Sequence, residues 1–477
     1  MAESTGEKLA LSLSKGFFKK IFNTQYTMLN VQLSNSTKVW QLLIGCCILV
    51  SSCSVQLKIS KSAKEIVLKD SSLLTAHVGI SIYEPGSTKY WYNYNGEKYF
   101  VPASNTKIPT CYAAMKYLGD SLVGARISFN EQGSVLIFPS ADPTFLNSEF
   151  SYQPLIEKIK HAKQIFLYDD KWKDERWGSG WAWNDYDASY MAEKSIFPIY
   201  GNVVQFYLSN DTLKLHPKKI SVGASAILGY NGITGTIKSK NFSISRAIDD
   251  NKFFITPSLN RFSSVLIPLR TDLGLVSEIL EDTLKVEVVP SSIATGYDFN
   301  PSKKVIYSQP TDSLLKPMMH RSDNFFAEQC LLMVSNETLG YMNDSKIIDS
   351  ILKTDFKDLP QKPRWVDGSG LSRYNLFTPQ DFVAILNKMQ NEFGMNRIKE
   401  IFPTGGEGTI SSYYKTDSGF IYAKTGTLSG VVALSGFLTT KKGKQLLFSV
   451  LVNNHQASAT AVRRAVEKFV QGIRNKY

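Results

Sequence analysis

"ASNTKIPT", residues 103–110, places a serine and a lysine three positions apart, with a proline two residues beyond the lysine. Proline is tolerated in the first turn of a helix but not further in, so Pro109 fixes a helix start close to Ser104. Downstream, Ile108, Cys111, Met115 and Leu118 recur at spacings of 3, 4 and 3, which is one apolar helical face. Residues i and i+3 share a face, bringing the Lys107 amine within reach of the Ser104 hydroxyl and its proton. The amine accepts that proton only when neutral, a state that burial or a neighbouring cation favours by lowering its pKa. A helix start also presents free backbone amides able to hold a developing oxyanion. Spacing alone is a weak signal. Ser-x-x-Lys occurs five times, at Ser12, Ser104, Ser313, Ser350 and Ser412, and an ordinary surface helix accounts for most such pairs.

Ahead of this stretch, residues 77–100 predict strand, Pro85-Gly86 turn, strand, Asn95-Gly96 turn, strand; Asn-Gly between aromatic runs is a strong hairpin signal. From about 126 to 290 come short alternating strands with frequent Gly and Asn. Helical spacing returns over 311–334, interrupted at His320–Asp323. The chain ends in three strands, with turns at Ser429-Gly430 and Lys442-Gly443, and a helix over about 457–473. Strands at both ends with helices between them predict an α/β (α+β) domain, an antiparallel sheet with a helical cluster, closed by its termini around an inserted β-rich module. The expected boundaries are 54–132 and 290–477 for the two segments of the main domain and 133–289 for the insertion.

Composition agrees with a globular chain: 477 residues, 43% hydrophobic and 12% aromatic, suffice for more than one core. The net charge of +12 is scattered singly and in pairs, without the basic runs of a nucleic-acid-binding arm, so nucleic acid is not an expected partner. Of five cysteines only Cys111 and Cys330 lie in the body, both on helical apolar faces. They read as buried thiols, with a bridge between neighbouring helices as the alternative. Residues 38–53, "KVWQLLIGCCILVSSC", carry an apolar run too short to span a bilayer comfortably and suited to a secretory leader. Val50-Ser51-Ser52-Cys53 resembles a bacterial lipobox, which implies cleavage before Cys53, lipid attachment there and a periplasm-facing place in the cell envelope. An ordinary cleaved signal or an uncleaved anchor is the alternative. Residues 1–27 are basic and unusual for an export signal, and Met28 is a second candidate start.

Common catalytic patterns are missing. The histidines at 77, 161, 216, 320 and 455 never fall at ligand spacing, and no HExxH, CxxC pair, GxxxxGK[ST] loop or GxSxG elbow occurs, so any nucleophile is expected to be activated without histidine; a Ser-Lys mechanism, which finds its acid and base in side chains, has no use for metal or organic cofactor. Two pieces complement Ser104 and Lys107 instead. Ser-x-Asn occurs four times, but only Ser322-Asp323-Asn324 interrupts a helical pair, where a short turn could project into a cleft. Lys-Thr-Gly occurs once, at Lys424, Thr425 and Gly426, on a strand where the glycine would let a ligand lie close to the backbone.

S-x-x-K, S-D-N and K-T-G are the recognised signature of penicillin-binding proteins and class A β-lactamases, and this chain carries all three in that order. The chain resembles the class C low-molecular-mass penicillin-binding proteins, the D-alanyl-D-alanine carboxypeptidase/endopeptidase family, which carries a large insertion between its first two motifs. Similar segments include "VPASNTK", "ADPTF", "GWAWND", "SDNFFAE", "DGSGLSRYN", "PTGGEGT" and "AKTGTLSGVVALSGF". The resemblance implies a DD-peptidase/β-lactamase-like fold, peptidoglycan peptides as substrate and β-lactams as acylating inhibitors. It implies that Ser104 attacks the penultimate D-alanine carbonyl, Lys107 takes its proton, Ser322 relays it to the leaving amine and Asn324 orients Lys107 and the substrate amide. Lys424 and Thr425 would hold the terminal carboxylate, and the amides of Ser104 and Thr427 would form the oxyanion hole. Asp185 and Arg373 match positions that recognise the charged end of the peptidoglycan side chain, although a tryptophan-rich turn or an interdomain ion pair would also retain them. Asp367 and its glycines read as turn structure. A β-lactamase would need a deacylating base; "EFGMN", 392–396, has a suitable spacing but follows a helix far beyond Ser322. A noncatalytic wall-binding or penicillin-sensing module is the third reading.

Overall fold

Strand β1 (His77–Glu84) is buried along most of its length because it lies inside a sheet, between β2 (Lys89–Tyr94) and the last strand of the chain. The computed structural model describes residues 55–209, 212–218, 243–256, 264–291 and 299–477; Cys53 and the apolar run before it lie outside them. Residues 59–477 form one compact unit. Its main sheet runs β13 (Ile421–Leu428), β14 (Val431–Thr439), β15 (Gln445–Asn453), β1, β2, antiparallel throughout. The expected third strand after Asn95-Gly96 does not form: Asn95 turns with φ 46°, and Phe100 makes only an isolated bridge to Phe377. Phe100 thereby ties the nucleophile segment to the entry of a helix instead of widening the sheet.

That helix, α7 (Pro379–Ile401), packs on β1, β14 and β15, where Leu447 and Leu451 join the main core. The C-terminal α8 (Ala459–Lys476) contacts β14 and buries Val462, Val466, Phe469, Val470 and Ile473, a single stripe at helical spacing. A cluster of α1 (Lys107–Tyr117), α4 (Thr311–His320), α5 (Asn324–Leu339) and α7 fills the centre. Helix α5 is buried at every position from Phe325 to Asn336, as befits a helix surrounded on all sides. Cys111 and Cys330 are buried free thiols in this cluster.

A second sheet has the order β11 (Glu287–Ser291), β5 (Gln164–Tyr168), β4 (Val135–Pro139), β3 (Ser121–Phe129), β12 (Lys304–Pro310). Its pleat divides β4: Val135 and Ile137 enter the main core, whereas Leu136 and Phe138 join Phe166 in a small separate cluster. The boundaries expected at 133 and 289 therefore cut through one continuous sheet, because β3 and β12 pair antiparallel across the two segments assigned to the main domain. The remaining inserted strands stand apart as β10 (Ser264–Pro268), β6 (Val203–Ser209), β7 (Thr212–His216), and the pair β8 (Ser243–Arg246), β9 (Phe253–Thr256), over a core that includes Val204, Phe206, Phe253 and Leu269. Helices α2 (Pro154–Ile159), α3 (Leu273–Leu284) and α6 (Asp344–Lys353) lie outside the central cluster. Among the described residues no helix is long and apolar enough to cross a membrane.

Candidate active site

Ser104 sits in a 3-10 turn, Ala103–Thr106, at the entrance of α1. Three contacts fix that turn. Asn105 donates from Nδ2 to the Lys424 carbonyl (2.8 Å) and accepts at Oδ1 from Ser435 (2.7 Å), tying the turn to β13 and β14. Gly426 lies so close that a Cβ there would stand 2.6 Å from the Pro102 carbonyl oxygen, and Gly370, with φ +84°, would collide with that of Ala103. Gly426 is thus required by backbone against backbone, the strand pressed on the nucleophile turn, a constraint the sequence reading did not include.

Lys107 is fully buried, and its Nζ faces three oxygens: Ser104 Oγ at 3.2 Å, Asn324 Oδ1 at 2.6 Å and the Ser369 carbonyl at 2.7 Å. None of the three carries a charge. Burial therefore dominates and lowers its pKa to about 8, against a smaller upward pull from Glu328, Asp367 and Asp323. Asn324 is placed by the N-terminus of α5, which Asp323 caps by accepting from Phe326 N (2.9 Å), and its Nδ2 donates to the Tyr190 carbonyl (3.0 Å).

The Ser369 carbonyl is held in turn. Fully buried Glu328 accepts from the amides of Gly368 (3.0 Å) and Ser369 (2.7 Å), while Asp367 accepts from Gly370 N, Ser372 N, Asn375 Nδ2 and Trp181 Nε1. Burial and the nearby Asp367 push the Glu328 carboxyl up to about 8. The sequence pattern does not single out Asn105, Glu328 or Ser369, yet Glu328 stands four residues after Asn324, hence on the same face of α5 one turn on.

The turn between α4 and α5 puts Ser322 in the left-handed region, φ 64°, aiming its hydroxyl at Lys424 Nζ, 2.8 Å away. Lys424 also donates to its neighbour's carbonyl at Thr425 (2.7 Å). Burial, then Lys107 and Arg463, hold its pKa well below the ordinary lysine value. Thr425 donates to Thr409 Oγ1 (2.7 Å), Arg463 donates to Thr427 Oγ1, and Thr427 itself is exposed on β13. Ser104, Lys107, Ser322, Asn324 and Lys424 thus converge within hydrogen-bonding chains on one cleft, with Thr425, Gly426 and Thr427 along its strand edge.

Asp185 and Arg373 lie on the cleft's surroundings and not in this network. Asp185, in the turn Trp183–Asp185, bonds to the hydroxyl of Tyr190 and helps push that phenol up, after burial. Exposed Arg373 donates to the Ser429 carbonyl (3.0 Å), just past β13. Their loops touch through Trp181 and Asp367 (2.9 Å). Glu392 of "EFGMN" bonds to Tyr112 (2.9 Å) and Lys116 at the far end of α1, so it does not serve this cleft.

A serine beside a buried, uncharged-partner lysine, a second Ser–Lys pair and a strand edge of threonines define a Ser-Lys acyl-transfer hydrolase of the active-serine DD-peptidase class. The chain belongs to the D-Ala-D-Ala carboxypeptidase 3 (S13) family, matched over residues 60–473, and is a serine-type DD-peptidase. Among curated relatives, the D-alanyl-D-alanine carboxypeptidase of Actinomadura sp. strain R39 is 26% identical over 448 residues, covering 84% of this chain and 82% of that protein. D-alanyl-D-alanine carboxypeptidase DacB of Haemophilus influenzae is 24% identical, covering 81% and 87%. The fold matches the crystal structure of penicillin binding protein 4 (dacB) from Haemophilus influenzae with TM-score 0.66 and 22% identity, over 88% of this chain and 98% of that one.

Proposed function

We propose that Ser104 is the acylated residue and Lys107 its general base, in an enzyme that hydrolyses the D-Ala-D-Ala ends of peptidoglycan stems and is inhibited by β-lactams through the same ester. The observation that carries this reading is Lys107 Nζ, 3.2 Å from Ser104 Oγ and surrounded only by neutral acceptors that leave it easy to deprotonate. Lys107 takes the hydroxyl proton as Oγ bonds to the carbonyl carbon; the amides of Ser104 and Thr427 receive the oxyanion. Ser322, polarised by Lys424, passes a proton to the leaving amine, and water later cleaves the ester. A substrate carboxylate arriving at Lys424, Thr425 and Thr409 would favour the charged lysine there, so binding itself prepares the relay. Asp185 and Arg373 are proposed contacts for the polar end of the stem's side chain, and Glu328 and Asn105 positioning residues.

The family carboxypeptidase named for Haemophilus influenzae has been crystallised with a β-lactam, which supports the inhibitor class. Lipidation at Cys53 and a periplasm-facing location are proposed on the lipobox-like Val50–Cys53 alone; an intact mass lacking acyl groups would reject them. To test the catalytic reading, wild type and Ser104→Ala are incubated with a fluorescent penicillin, the label is mapped by mass spectrometry, and D-alanine release is followed from a diacylated peptide ending in D-Ala-D-Ala. Stable label on Ser104 with D-alanine release is expected. Rapid label loss with β-lactam turnover would make the protein a lactamase, and folded protein without label would remove Ser104 from the mechanism.

A further inference from the structure

The turn Asp367–Ser372, marked in the sequence by its aspartate and two glycines, does more than reverse the chain. It is wedged between α1 and α5. A Cβ at Gly368 would stand 2.6 Å from the Ala327 carbonyl oxygen, and Thr110 donates to the Gly368 carbonyl (2.7 Å), so both helices fix the turn's backbone. Asp367, Ser369 and Ser372 are fully buried with it. One peptide group here has a partner at each end. The Ser369 carbonyl accepts from Lys107 Nζ (2.7 Å), and the Gly370 amide, the other end of the same peptide, donates to Asp367 Oδ1 (2.8 Å).

The chemistry of the partners decides which way that peptide is polarised. Asp367 accepts at Oδ1 also from Asn375 Nδ2 (2.7 Å), and at Oδ2 from Ser372 N (2.6 Å) and Trp181 Nε1 (2.9 Å). All four partners are N–H donors, an arrangement made for a carboxylate, which only accepts. A negative charge at the N–H end of a peptide draws electron density toward its carbonyl oxygen, and hydrogen bonds linked in this way strengthen one another. The Ser369 oxygen therefore offers an ammonium more than an isolated carbonyl would, although no carboxylate touches Lys107 itself. Glu328, bonded to the amides of Gly368 and Ser369, keeps the turn in place behind it.

In the reaction proposed above, on which this inference rests, Lys107 receives the Ser104 proton and holds it until Ser322 passes one to the leaving amine. We propose that Asp367 is a positioning residue for that step: through the Ser369–Gly370 peptide it aims a polarised carbonyl at Lys107 and stabilises the ammonium that acylation creates. Burial leaves the amine easy to deprotonate before the reaction, and a carboxylate one peptide away lets it carry the proton once the reaction has begun. Direct contact of the kind that Asp174 and Asp344 make with Lys194 would load the amine in advance. Trp181 brings the inserted segment into the device, since its indole N–H is one of the four that offset the Asp367 charge.

Asp367→Asn removes the charge and Trp181→Phe removes one donor that offsets it, so the two variants push Lys107 in opposite directions. Glu328 and Asp323 on α5 and Lys424 on β13 also face Lys107 and are unchanged in both. The rate of Ser104 acylation by a fluorescent penicillin is followed from neutral to alkaline pH, with folding checked by thermal unfolding. This rate rises with pH as Lys107 becomes neutral and then levels off. Losing a nearby negative charge disfavours the ammonium, so in Asp367→Asn the rising limb should move down by about one pH unit and the plateau should fall about threefold to tenfold, the mark of a weaker base. In Trp181→Phe the limb should move up by about half a pH unit. Limbs that keep the wild-type position while rates fall would make Asp367 a purely structural turn residue and overturn the proposal, as would shifts of the same sign. If Asp367→Asn does not fold, Trp181→Phe decides alone: an upward limb supports the proposal, an unmoved or downward one overturns it. Wild type that takes no label at Ser104 would instead defeat the catalytic reading beneath it.

Discussion

Two buried lysines show what makes a base. Lys107 and Lys194 are both shut away from water, at 0% and 2% exposure. Lys194 lies between the carboxylates of Asp174 (2.8 Å) and Asp344, and their pull outweighs burial, raising its pKa above the ordinary lysine value. Lys107 has a hydroxyl, an amide oxygen and a carbonyl, and burial lowers its pKa to about 8. Equal burial thus yields a locked cation in the insertion and an amine ready to take a proton in the cleft. Partner charge, not depth, separates the structural lysine from the reactive one.

Removing each amine should break the comparison in opposite directions. Lys107→Met is expected to slow acylation of Ser104 by about 10²–10⁴-fold while leaving the fold intact, since neutral neighbours lose only hydrogen bonds; stopped-flow labelling with a fluorescent penicillin measures it. Lys194→Met leaves two buried carboxylates facing each other, and urea unfolding should show a loss of about 3–5 kcal/mol, with acylation per folded molecule preserved. A collapse of stability in the first variant, or none in the second, would invert the assignment.

Asn324→Asp sharpens the contrast by giving Lys107 a carboxylate at 2.6 Å, an environment closer to that of Lys194. In the wild type the acylation rate should rise with pH and level off above about 8, because the neutral amine is the active form and deprotonation increases as pH climbs through the Lys107 value. An adjacent negative charge favours the protonated amine, so the variant's limb should move upward by about 1–3 pH units. At pH 7 that costs roughly tenfold or more in rate, the smallest effect of the three. A pH–rate profile over 6–10.5 records it, and an unmoved limb would mean that Lys107 does not set the rate.

The chemistry of the cleft could be picked out in the sequence because Ser104, Ser322 and Lys424 each head a short motif in a fixed order, and because Pro109 confines the helix start. The residues that hold those groups were less visible. Asn105 lies inside the opening stretch, but its partners, Lys424 and Ser435, are brought near only by the sheet. The arrangement of the second sheet was hidden for the same reason: β3 reads as a strand, but nothing local says that it pairs with β12. Asx-Gly turns mark bends well, yet whether a strand follows depends on a distant partner, as Phe100 and Phe377 show. Gly426 is the converse case, a correctly noticed glycine whose neighbour was protein backbone.

The pairing of β1 with β15 and the hydrogen bond from Asn105 to Lys424 also set a timetable. The nucleophile turn precedes its partner on the clamping strand by 319 residues, and contacts so distant in sequence form slowly. A chain without β13 and β14 would carry Ser104 and Lys107 but lack the strands that hold their turn. Hydrolytic competence in this protein therefore waits on the arrival of β13 and β14 beside that turn, a built-in postponement for an enzyme whose proposed target is the cell wall.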